Sequence, residues 1–316
     1  LISAFNSYTI QETDFYAKGV QAKYGDRLGG VIDMKSTSDI HNKHSGGTGV
    51  NLISGDVFVN VPVLKDKLSF TLSGRRSYTD VLKTPAYTAM AERVFQNTRL
   101  DEQIKETDNQ FYFFDYSLGI QAKLTKKDFL QFNTLNSQNK LTFKSNTQTN
   151  NYIDNLITKN EGYSVQWQHQ YSNELKQETV ISLSNYSLDY LFENIDISIN
   201  ETVNETKKNY INDYGLQTSY FLDVNKISHL QVGYQYAKNN IRYEIKNVTD
   251  NYSLTLDEQK NELLTHSLFT EYEIDFNSKS TIQLGVRGNK YSTNDQFFIE
   301  PRLFTELALL PKLKLN

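Results

Sequence analysis

A few groups in this sequence have the residue types and spacing from which chemistry could be built. His41-Asn42-Lys43-His44 sets two imidazoles three residues apart, and imidazole is a common metal ligand. No third ligand stands at an obvious spacing, so a solvated connecting segment is the better reading. Gly25, Gly29 and Gly30 fall within six residues and could cradle a phosphate, but no Lys-Ser/Thr follows and no helical pattern opens behind them. A tight reversal with close backbone approach remains. Glu271, Glu273 and Asp275 share one face of an alternating segment. Such a row could supply a glycosidase pair or a cation site, yet it more simply lines a wet surface. His169, His229 and His266 each sit singly, no Gly-x-Ser-x-Gly elbow occurs, and without cysteine there is neither thiolate chemistry nor a disulfide. The expectation is a protein with no catalytic, metal or cofactor site, and not an enzyme.

The elements that carry these residues follow from composition and period. Among 316 residues, 21 Tyr, 18 Phe and one Trp give far more burying power than a disordered chain needs. A net charge of -4 offers no general attraction to a polyanion, so no nucleic-acid partner is expected. No run approaches the roughly 18 apolar residues of a membrane-spanning helix. The chain opens Leu1-Ile2-Ser3-Ala4-Phe5, without an initiator Met or a leader pattern, which suggests a removed leader or an internal piece of something longer.

From residue 48 to 310 the dominant period is two. Tyr112, Phe114, Tyr116, Leu118, Ile120, Ala122 and Leu124 alternate with Asp115, Ser117, Gly119, Gln121 and Lys123, one greasy face against one polar face. The pattern recurs at Val165, Trp167 and Tyr171, at Tyr214, Leu216, Tyr220 and Leu222, and at Leu268, Tyr272, Ile274 and Phe276. Counted this way there are about eleven strands, many of roughly 12 to 16 residues, against a usual mode of about 5 to 6. Short polar turns, such as Lys65-Asp66-Lys67 and Thr125-Lys126-Lys127-Asp128, alternate with long polar stretches near 80–108, 143–160, 193–207 and 246–259, which read as loops. Long strands with short turns at one end and long loops at the other predict an all-β, transmembrane, antiparallel up-and-down β-barrel. A soluble sheet would also alternate, but its strands would be shorter and its greasy faces poorer in Tyr and Phe. Pro301 cannot donate to a sheet ladder, so a bulge or local break is expected there. In the stretch after Pro85, Tyr87, Met90, Ala91 and Val94 follow helical spacing, which predicts a short amphipathic helix in the longest loop.

The first forty residues differ. Ala22-Lys23-Tyr24-Gly25-Asp26-Arg27-Leu28-Gly29-Gly30-Val31-Ile32-Asp33-Met34 resembles the end of the plug domain of TonB-dependent outer-membrane receptors, and Asp14-Phe15-Tyr16-Ala17-Lys18-Gly19-Val20 resembles the strand and turn before it. Lys65-Asp66-Lys67-Leu68-Ser69-Phe70 and Ser73-Gly74-Arg75-Arg76-Ser77-Tyr78 resemble the first barrel hairpin of the same family. Ile299-Glu300-Pro301-Arg302-Leu303 resembles a mid-barrel strand.

The resemblance implies a domain order of 1–40 as the plug's C-terminal end, 41–47 as linker and 48–316 as the first half of a barrel of about 22 strands. An open set of strands in lipid would leave edge groups unpaired, so the 316 residues are expected to be part of a larger receptor. It also implies a receptor that binds a scarce small nutrient (a siderophore, vitamin, oligosaccharide or peptide) and imports it with energy from the TonB complex. The setting would be a Gram-negative outer membrane, surrounded by its lipid, with loops outside and turns in the periplasm. A surface lipoprotein is a further possible partner. Asp26, Arg27, Arg75 and Arg76 are the candidate plug-to-barrel contacts; of the neighbouring pair Arg75 and Arg76, one should meet the plug or lumen, with interfacial snorkelling as the alternative. Tyr87, Met90, Arg93 and Phe95 are the candidate ligand or partner loop. A second functional reading is a barrel that serves as a structural or docking subunit without transport.

Overall fold

The computed structural model describes residues 6–17, 19–25, 30–85, 106–277, 280–293, 296–310 and 313–315. Two short strands, β1 (Ile10–Tyr16) and β2 (Val31–Ser36), form an antiparallel pair by themselves. The rest is one antiparallel meander of thirteen strands in chain order. These are β3 (Ser45–Val50), β4 (Ser54–Leu64), β5 (Leu68–Ser77), β6 (Glu106–Lys123), β7 (Asp128–Asn146), β8 (Asn150–Gln170), β9 (Leu175–Asp196), β10 (Glu201–Asn225), β11 (Ser228–Thr249), β12 (Ser253–Asn277), β13 (Ser280–Tyr291), β14 (Phe297–Leu310) and β15 (Leu313–Leu315). No described helix is long and apolar enough to cross a membrane. The up-and-down order that the alternation predicts is present among the described strands.

The burial pattern inverts that of a globular protein. Among the described residues only Ala22, Phe113, Phe143 and Phe269 are buried apolar side chains, while the buried polar set includes Gln121 at 1% exposure, Asn289 at 0% and Glu271. The greasy rows lie open instead, with Leu268 66% and Leu303 69% exposed and Tyr116, Ile181 and Leu284 beside them. No second layer of protein covers these described side chains. Exposed apolar rows of this extent mark a surface meant for an apolar medium.

The strands are longer than the alternation indicates. The stretches near 143–160, 193–207 and 246–259 that read as loops are ladders, closed by tips of only a few residues at 147–149, 197–200 and 250–252. β10 and β12 reach 25 residues, about 80 Å if extended, against about 30 Å of bilayer hydrocarbon. Beyond that band neither face meets an apolar medium, so the greasy/polar alternation fades although the backbone hydrogen bonds continue. The Gly-rich β3 was invisible for a related reason, since it offers little side chain to alternate. Pro301 is a further correction: it pairs with Val286 with no shift of register. A proline permits this when its nitrogen faces away from the paired strand, and opposite Pro301 the described residues place no strand on that side.

The linker is brief and pinned. Asn42 and Asp66 exchange two hydrogen bonds, Asn42 Nδ2 to Asp66 Oδ1 (2.6 Å) and Asp66 N to Asn42 Oδ1 (2.7 Å), which hold Asp66 in its left-handed turn conformation. Ser45, Gly46 and Gly47, within the expected linker, are already paired with Asn60, Val59 and Phe58.

Candidate functional site

Because strand side chains alternate, the register fixes which residues face the N-terminal unit. Gln131 of β7, Gln235 of β11, Glu271 of β12, Arg287 of β13 and Arg302 of β14 all reach it, so the sheet curves around β1, β2 and the chain reversal between them. Residues in register with these five face inward, and the greasy rows face outward.

The densest contacts form at the reversal, residues 19–25. Arg302 Nη1 donates to the carbonyls of Gln21 (2.6 Å) and Val20 (3.4 Å). Arg287 Nη1 donates to the carbonyls of Lys23 (3.1 Å) and Ala22 (3.3 Å). Gln235 Nε2 adds a second donor to Lys23 O at 2.9 Å, and Glu271 Oε2 accepts the Ala22 amide at 2.7 Å. Four successive carbonyls and one amide are thus read by the wall as backbone. The clamp is braced from behind: Arg287 Nε donates to Asn289 Oδ1 (2.8 Å), Asn289 Nδ2 donates to Glu300 Oε1 (2.6 Å), and Glu300 Oε2 pairs with Arg302 (2.8 Å). Two glycines make the close approach possible. Gly19 has φ +65 and lies under the Phe304 ring, and a Cβ at Gly25 would sit 2.5 Å from Arg287 Nε.

A second grip lies further round the wall, where Gln131 Nε2 donates to Thr37 O (2.8 Å) and Ser36 Oγ (3.2 Å). Between the grips lie two spaces. One, of about 360 Å³, is lined by Thr37, Gln121, Asn133 and Ser164, and the other, of about 380 Å³, by Tyr24, Gln217 and Ser267. Within the N-terminal unit, Tyr24 Oη donates to Asp33 Oδ2 at 2.6 Å. Burial first, and then this bond, push the phenol well above its ordinary range. Lys35 spans Asp14 (2.9 Å) and Glu12 (3.0 Å), whose bonds raise its ammonium above the usual lysine value.

Of the residues expected at the plug contact, Arg75 faces inward between Asp56 and Asp115 and binds Asp115 Oδ2 through Nε (2.7 Å) and Nη2 (2.6 Å), over the Phe113 ring. Arg76 faces outward, where it lies over Tyr112 and meets Asp80 at 2.7 Å. Asp26 and Arg27 lie outside the described residues, as do Tyr87, Met90, Arg93, Phe95 and the expected helix. The backbone clamp of Arg287, Arg302 and Gln235 was missed. The available signal was that Gln235, Glu271, Arg287 and Arg302 all stand on polar faces of alternating strands.

The arrangement holds and positions backbone. Among the described residues no group of three or more His, Cys, Asp or Glu is placed to hold a metal. The single histidines are each engaged by a neighbour, His169 by Asp128, His229 by Asp223 and His266 by Tyr234.

The meander, its outward apolar rows and its grip on an N-terminal unit are the fold of the barrel in TonB-dependent outer-membrane receptors. No protein family model matches the sequence, and no curated protein matches it. Among solved structures, the ferric enterobactin receptor PfeA of Pseudomonas aeruginosa is similar at 14% identity with a TM-score of 0.61, over 93% of this chain and 46% of that one. The siderophore receptor PirA of Acinetobacter baumannii gives 15% and 0.59, over 92% and 45%. The outer membrane transporter YddB of Escherichia coli gives 11% and 0.59, over 94% and 45%. This chain spans about half the length of the structures it matches.

Proposed function

We propose that the protein is an outer-membrane receptor that binds a small nutrient and imports it with energy delivered by the TonB complex. Residues 1–40 would be the end of its plug, and the first part of its barrel would run from β3, at Ser45, to residue 316. The observation that carries this reading is the clamp: the wall holds the reversal at 19–25 through its backbone, beneath rows of apolar side chains aimed at lipid. A grip made of a few hydrogen bonds to backbone, flanked by two open spaces, suits a segment that is held at rest and displaced by a pulling force. No covalent step is required. A surface lipoprotein that covers the mouth fits the same scheme.

The test uses the complete protein in its own cells. Outer-membrane fractionation, a requirement for detergent and heat-dependent gel mobility are expected, together with nutrient uptake that stops when the TonB complex is deleted. Unchanged uptake in the TonB deletion would remove the energy coupling, unchanged uptake when the protein itself is deleted would leave only a structural or docking role, and release without detergent would remove the barrel reading altogether.

A further inference from the structure

The long strands beyond the greasy band segregate their cations by face, and most of the acids there stand outward with them, as in the pairs Lys238–Glu262 and Arg242–Glu258. From the level of Gln131 and Gln235 up to residue 245 the register of β7 to β12 is unbroken across five neighbouring pairs, so facing can be read directly from pairing with those two residues. In this upper region Lys140, Lys159, Lys208, Arg242 and Lys260 all stand on the outward face. Among the described residues there, Lys207 is the one cation facing inward, and it is matched by Glu205 at 2.8 Å. The inward face carries rings and a few acids with almost no cation among them. Tyr152 and Phe192 are stacked with centroids 6.1 Å apart and planes at 18°, Tyr190 donates its hydroxyl to Asp154, and Tyr243 donates to Asp257.

We propose, resting on the receptor reading above, that the ligand met by this vestibule is an uncharged, hydroxyl-rich molecule of the oligosaccharide class, and not an anionic iron chelate. A ferric tris-catecholate is a trianion, since three dianionic catecholates surround one ferric ion. The described upper wall from β7 to β12, with one inward cation that is already paired, would repel it. A cationic peptide fits less well, because Asp154, Asp257 and Glu205 are engaged by Tyr190, Tyr243 and Lys207. What remains is flat aromatic surface edged by carboxylates and amides. Sugar rings stack on such surfaces through their C–H faces, while vicinal hydroxyls donate to the inward amide oxygens, such as Asn194 Oδ1, and to second carboxylate oxygens that a single phenol bond leaves open but that hold no free charge pair for a cation.

The test is binding of the complete, detergent-purified protein to an array of neutral and acidic oligosaccharides, alongside ferric enterobactin and a lysine-rich peptide. At least one neutral oligosaccharide is expected to bind. Its affinity should fall about tenfold in Tyr152→Ala and in Phe192→Ala and stay within twofold in Lys144→Ala, on the outward face of the same level. Heat-dependent mobility of each variant certifies the fold. Tighter binding of ferric enterobactin or of the peptide, or no oligosaccharide bound at all, overturns the proposal. Those outcomes in a protein that is a membrane barrel with TonB-dependent uptake sink this inference alone; loss of membrane association sinks the receptor reading instead.

Discussion

Replacing Arg287 with Met removes the guanidinium but keeps an unbranched stem of similar length, so it isolates the clamp from packing. Arg287 is 3% exposed and gives its Nη1 to two carbonyls, Ala22 O and Lys23 O, and its Nε to Asn289. Hydrogen bonds to charged groups contribute about 1.5–3 kcal/mol each. The 3.3 Å bond to Ala22 O belongs at the bottom of that range, and Gln235 still holds Lys23 O. Water in the adjoining space can also satisfy a freed carbonyl. These offsets leave roughly 3 kcal/mol of docking energy for the reversal, which is about a hundredfold in its local opening equilibrium. Amide hydrogen exchange reads this directly, because the Ala22 amide is held by Glu271 only while the reversal is docked. Residues 20–25 should lose about two orders of magnitude of protection while the ladders of β7 to β11 keep theirs. Unchanged protection at Ala22 would refute the clamp and make Arg287 an ordinary lumen side chain.

The remaining predictions concern the wall and the tips. Arg75→Met should cost about 3–5 kcal/mol, because it leaves the buried Asp115 uncompensated, whereas Arg76→Met, at an exposed pair, should cost less than about 1 kcal/mol; midpoints of heat-dependent gel mobility compare them. Leu268→Arg places a charge in the outward band and should cost about 2–4 kcal/mol of assembly, against less than about 1 kcal/mol for Ser164→Lys on the inward face. The yield of folded barrel in lipid vesicles measures both. At the β9–β10 tip, Asp196 Oδ1 accepts from the Ser198 hydroxyl and from the amides of Ser198 (2.9 Å) and Ile199 (3.4 Å). The hydroxyl bond foremost, with the two amides adding to it, holds its carboxyl below the ordinary value against an opposing desolvation. A lowered folded value means that this stabilisation is complete above about pH 4 and is lost as pH falls through the folded value. Intrinsically corrected exchange at Ser198 and Ile199 should therefore rise only below about pH 4, and Asp196→Asn should remove that dependence.

The fold was legible where one medium faces each side of a strand. Tyr116 against Asp115 and Leu268 against Ser267 told greasy from polar because one side meets hydrocarbon and the other a wet interior. Legibility ended where both sides are wet: Tyr152, Asp154 and Lys159 give no alternation of hydropathy, so a ladder from residue 143 to 160 read as a loop. The clamp was half legible. The glycines at 25, 29 and 30 announced a close backbone approach, and Gly25 lies against Arg287. The partner on the wall was not readable, because a donor that binds carbonyls imposes no complementary side chain on the segment it holds. Arg75 and Arg76 could be assigned to opposite faces by adjacency, but which one faces inward depends on register with Asp56 and Asp115, which lie far off in sequence.

The central claim is that the apolar rows face lipid and the polar rows face an enclosed interior. Spin labels placed singly from residue 264 to 274 on β12, in the complete protein reconstituted into bilayers, test it through collision with oxygen and with a water-soluble nickel chelate. The account predicts that oxygen accessibility peaks at positions 268, 270 and 272 and drops at 267, 269 and 271, with a period of two. Equal accessibility at neighbouring positions, or an oxygen minimum at Leu268, would contradict it.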